Sequence, residues 1–167
     1  LEEKYVTATL TLTTEEIHRK MAVDLYNYTW TLMTKEDRSE EEDETMLQAA
    51  YASRYHWGVI GQPIHFERGD WQIARVNALL GRGQEAIRYG QRCLQTCLQQ
   101  GIGDFDLAYA YEALMRAHLV LGEEAKAQEF EQLARRAAEQ IAKQEDKDWF
   151  LKDLQAALAA PRVCLQG

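Results

Sequence analysis

The sequence predicts an all-α protein of stacked antiparallel helix hairpins, about three of them, closed by a C-terminal capping helix. Three observations predict it. Only two prolines, Pro63 and Pro161, interrupt 167 residues, so long helices can run unbroken. Apolar residues recur at three- and four-residue spacing along most of the chain. One stretch repeats: Leu80-Gly81-Arg82-Gly83-Gln84-Glu85-Ala86 is matched 41 positions later by Leu121-Gly122-Glu123-Glu124-Ala125-Lys126-Ala127.

Residues 1–13 stand apart as an extended arm, because Tyr5 to Thr13 alternate and are rich in Thr and Val, a strand pattern. A single helical domain is expected over 14–160. Its first hairpin spans 14–60. Thr13 and Glu16 have capping-box spacing and start the first helix. Ile17, Met21, Leu25, Tyr28 and Leu32 make one apolar stripe; Val23, Tyr26, Trp30 and Met33 make a second. Two stripes predict a helix buried on two sides. Ser39 and Glu42 form the next capping box, with acidic residues 40–44 at the positive end of the helix dipole. That helix stops near Gly61, and Pro63 suits the first turn of the following one.

The second unit covers 63–100 and the third 104–143. Gly81 and Gly122 supply the left-handed backbone that ends the first helix of each. Gly101-Ile102-Gly103 separates the units, and Asp104 is the expected cap of the fifth helix. The sixth helix is expected over 123–143. A last helix, 146–160, carries Phe150, Leu151, Leu154, Ala157 and Leu158 on one side and charge on the other, which suits the end of a stack. Residues 161–167 are a tail.

Bulk properties narrow the function. A net charge of −8 argues against a nucleic-acid partner and against electrostatic membrane attachment. No apolar run approaches the roughly 20 residues of a membrane span. No leader pattern is seen, and three cysteines (Cys93, Cys97 and Cys164) make no even disulfide framework, so a reducing cytoplasm is expected.

Ala74, Asn77, Leu80, Gly81, Glu85, Ala86, Ile87, Tyr89, Cys93 and Leu94 resemble the tetratricopeptide repeat family, with Gly122, Ala127, Phe130 and Ala134 as a second copy. Asn77 and His118 stand where that family prefers a large aromatic, no closing proline follows either copy, and the period of 41 exceeds the usual ~34. Residues 52–57 and 103–114 are also similar to an uncharacterised group of bacterial repeat proteins. The resemblance implies a right-handed α-solenoid whose first helices line a groove. By position that groove would hold Arg68, Trp71 and Arg75 from one hairpin, and Tyr109, Glu112 and Arg116 from the next. The implied function is a non-enzymatic protein- or peptide-binding module.

Two other readings stay open. Apolar ends and the arm could build a homodimer. Alternatively, His56, Trp57 and His65, with Trp71, could cluster across the turn at 61–62 as the pocket of a ligand sensor or an enzyme. No cofactor is implied, and no phosphate loop, nucleophile elbow or zinc motif occurs. Glu15 and His18 have the spacing of a di-iron pair without the second pair such a site needs. Cys93 and Cys97 share a helix face, but no third His or Cys stands at ligand spacing. The expectation is packing and no metal.

Overall fold

The computed structural model describes residues 12–159; the arm before Leu12, the tail and Cys164 lie outside them. Seven helices make up the described chain: α1 (Thr14–Met33), α2 (Glu40–Ile60), α3 (Pro63–Leu79), α4 (Gly83–Gln100), α5 (Asp104–Val120), α6 (Glu124–Ala138) and α7 (Gln144–Ala159). No strand occurs among the described residues. Helices adjacent in sequence pack together, and the strongest pairings are α1 on α2, α3 on α4 and α5 on α6. Within the odd-numbered set, α3 lies against α5, α5 against α7, and α1 touches α3 more lightly.

Local chemistry sets the boundaries. Both capping boxes form: Thr13 with Glu16, and Ser39 with Glu42, each side chain bonding the other residue's backbone N–H. Gly81 and Gly122 have φ of 72° and 70°. In both turns the next N–H reaches back five residues, Arg82 to the Asn77 carbonyl at 2.8 Å and Glu123 to the His118 carbonyl at 3.0 Å. These are Schellman closures, so the sequence repeat is also a repeat of backbone geometry. Its small residues are the buried contacts of each hairpin: Ala86 and Cys93 in one, Ala127 and Ala134 in the other.

Four expectations need correction. Only Ala22, Thr29 and Leu32 of α1 are buried, while Ile17, Met21, Val23 and Tyr28 are exposed. Among the described residues, α1 packs on α2 and more lightly on α3, which leaves its other side uncovered by them. Asp104 does not cap α5: Gly103 holds the cap position, Asp104 takes a left-handed φ of 55°, and its carboxylate accepts from the Ala142 N–H at 3.3 Å. The sixth helix stops at Ala138, not Lys143, and tightens into three-residue turns that place Ile141 in the core. The last helix starts at Gln144, two residues early, and buries Phe150, Leu154 and Ala157.

Candidate functional site

The odd-numbered helices enclose a cleft of about 460 Å³. Tyr26, Trp30 and Met33 of α1 form one wall, and Phe105 and Tyr109 of α5 form the other. Helix α3 supplies the floor through Glu67, Trp71 and Arg75, with Arg68 and Leu79 beside them. Trp149 and Asp153 of α7 close the far side. Glu67, Trp71 and Arg75 share a face because they are four residues apart.

The aromatic lining is continuous. Trp71 lies 5.6 Å from Trp30 and meets Tyr109 edge-on at 5.4 Å. Tyr109 also contacts Phe105 at 4.6 Å and Phe150 at 4.9 Å. Such tilted and edge-to-face contacts hold each ring in place and give the cleft a continuous aromatic wall. Trp149 is the exception, standing 65% exposed at the rim.

The cleft's charges are consumed within the chain. Arg68 forks onto Asp106 at 2.8 and 3.1 Å, and that pairing raises its pKa. Arg75 donates to Glu112 at 3.0 Å and lies 3.9 Å from Asp153. Arg116 bonds the same Glu112 oxygen. Burial lowers the pKa of Arg75, against the opposing pull of Glu112. Tyr109 donates its hydroxyl to Asp153 at 3.1 Å; burial, then that carboxylate, raises its pKa. Four of the six expected groove residues therefore line the cleft: Arg68, Trp71, Arg75 and Tyr109. Glu112 and Arg116 lie beneath it as part of the ion-pair network, with Glu112 fully buried.

At the floor, Glu67 meets two cysteines of α4 in the core. Glu67, Cys93 and Cys97 are all buried, and their donor atoms lie within 4.8 Å of one another. The Cys93 thiol donates to Glu67 Oε1 at 3.0 Å, whereas Glu67 Oε2 has no partner. Burial pushes the Glu67 carboxyl up to about 7, with the Cys93 hydrogen bond opposing, and pushes the Cys93 thiol up as well.

The expected histidine pocket does not assemble as one cluster. Trp57 and His65 stack at 4.2 Å beside Val23, Tyr26 and Arg68. His56 turns instead to His18, with 2.9 Å between their Nδ1 atoms, and Trp71 lies in the main cleft. Burial, then His18, lowers the His56 pKa; burial, then Arg19 and Arg68, lowers that of His65. His118 is structural: it is buried, stacks on Phe130 at 5.3 Å and bonds Glu123 at 2.5 Å.

No family model matches this chain. Neither does any curated protein or solved structure.

The sequence reading missed Trp149, Asp106, Asp153 and Glu67. Trp149 had a signal, since it is a large apolar residue on the charged side of an amphipathic helix. Glu67 had one too: it is as far before Gly81 as the midpoint of Cys93 and Cys97 is after it, so an antiparallel hairpin must bring them together.

Proposed function

We propose that this chain is a non-enzymatic binding module, tetratricopeptide-like in its hairpins, whose cleft receives a short apolar or aromatic segment of a partner protein. The aromatic lining carries the reading. A cavity of ~300–1,000 Å³ with rigid aromatic walls suits one or two large side chains, and anchors of that kind dominate interface energy. Because Arg68, Arg75 and Arg116 already hold carboxylates of their own chain, an acidic peptide would have to displace them. An apolar segment displaces nothing.

Panning a randomised peptide library over the folded chain tests this. The result expected is enrichment of peptides with an aromatic or long aliphatic residue, bound at least tenfold more weakly by Trp149→Ala and Leu79→Lys. Both positions are exposed and line the cleft, so both variants should fold. An unenriched library, or peptides indifferent to both substitutions, would sink the proposal.

A second reading, self-association through α1, is favoured by one observation: Ile17, Met21 and Tyr28 share an exposed face of that helix. Sedimentation over a range of concentrations decides it, and a monomer throughout ends it.

A further inference from the structure

Cys93 and Cys97 are one turn apart on α4, and Glu67 reaches them from the facing α3. All three side chains are essentially sealed from water, at 0%, 1% and 1% exposure. A carboxyl group in such a place is costly, and two thiols are poor compensation because S–H is a weak donor. One carboxyl oxygen finds no donor at all. Apolar side chains of the same shape would pack this hairpin better, so packing does not account for the choice.

We propose that Glu67, Cys93 and Cys97 form a binding site for one thiophilic divalent ion of the Zn²⁺ kind. Two sulfurs and one carboxylate oxygen are a ligand set Zn²⁺ takes, and three protein ligands leave a fourth position open. The donor atoms, now within 4.8 Å of one another, must draw in to roughly 3.8 Å between sulfurs, as Zn–S bonds of about 2.3 Å require. Glu67 is also a cleft residue, so the cleft is the ion's route to the site. Binding forms two Zn–S bonds and one Zn–O bond in place of bonds from the hydrated ion to water, which leaves with the ion's hydration shell. Both thiol protons leave to solvent, as does the carboxyl proton wherever Glu67 holds one. No electrons move. The ion's two positive charges offset the two thiolates it creates, so the filled site carries the single negative charge of the carboxylate, and affinity rises with pH because protons are released.

The site stands apart from the peptide reading, since either can fail alone. The test uses the reduced full chain carrying Cys164→Ala, so that only Cys93 and Cys97 offer thiols. Co²⁺ is titrated in and the thiolate-to-cobalt charge-transfer band is followed, with Zn²⁺ as competitor. The expected result is one ion per chain, a band of two-thiolate intensity that Zn²⁺ abolishes, and about half that intensity in Cys97→Ala. Glu67→Gln should weaken binding at least tenfold while the chain stays folded by circular dichroism. Thermal melts should show the midpoint rising with added Zn²⁺ and falling back with chelator. Absence of the band, or a band and an affinity unchanged by Glu67→Gln, would overturn the site.

Discussion

Glu112 holds two guanidinium groups from the middle of the fold, and its removal is the sharpest test of the packing described above. Its side chain is fully buried; those of Arg75 and Arg116 are 14% and 13% exposed. Glu112→Ala would leave both cations short of their main counter-charge in a low-dielectric setting. Arg75 would keep only the longer contact to Asp153, and Arg116 a 3.3 Å bond to the Asp153 carbonyl. Breaking a buried pair from one side costs about 3–5 kcal/mol, most of it the penalty of the stranded charge. Glu112→Gln keeps the shape and one acceptor, so it should cost about 1.5–3 kcal/mol, the worth of hydrogen bonds to charged groups. The assay is urea unfolding at pH 7, with each variant fitted for both midpoint and slope. Thermal melts give a parallel reading, roughly 2–4 °C per kcal/mol for a chain of this size. A loss below about 1 kcal/mol for Glu112→Ala, at unchanged slope, would refute the reasoning. It would mean that water or rearranged partners already serve the two arginines.

Other consequences are open to direct measurement. Glu67 titrates near 7 when folded, above its ordinary 4.5. The folded chain therefore holds this proton more tightly than the unfolded chain does. The stabilisation is full below about pH 4.5 and is lost as pH rises through 7, an effect on the order of 3 kcal/mol. Wild type minus Glu67→Gln in urea stability, at pH 5 and pH 8, should show that loss; a flat difference would contradict it. Gly122→Ala meets no atom but must hold φ at 70°, so it should cost about 1–2 kcal/mol. Gly103→Ala, equally uncrowded and at φ −110°, should cost little, and paired thermal melts compare the two. Ser39→Ala should lower stability by about 1 kcal/mol through loss of the α2 cap, read from the urea midpoint.

What the sequence revealed was local. Thr13, Ser39, Pro63, Gly81 and Gly122 act on their own few neighbours, so their roles can be read in a short window. The exposed stripe of α1 could not be, because amphipathicity says which faces are apolar and not how many neighbours exist to cover them. Asp104 looked like a cap for the same local reason. Its partner, the Ala142 N–H, lies 38 residues away and comes near because α6 runs back along α5. The groove arginines were visible, yet their charge was not available for a ligand: Asp106 lies 38 positions from Arg68, and Glu112 lies 37 from Arg75. Both gaps fall close to one repeat length, the separation at which successive first helices become neighbours. The repeat period thus contained that information, but no single window displayed it.

Among the described residues, helix α7 packs on α5 and α6 alone, and more lightly than the helices before it pack on theirs, yet it carries Trp149 and Asp153 to the rim of the cleft. A segment so lightly attached is among the first to detach in sub-global opening. Its amide hydrogens should exchange with solvent sooner than those of α3 and α5. An occupant that reaches from the α3 floor to Trp149 and Asp153 would bridge the two helices and hold α7 in place. Slowed deuterium uptake along Gln144–Ala159 would then report a bound ligand without any label on the ligand itself.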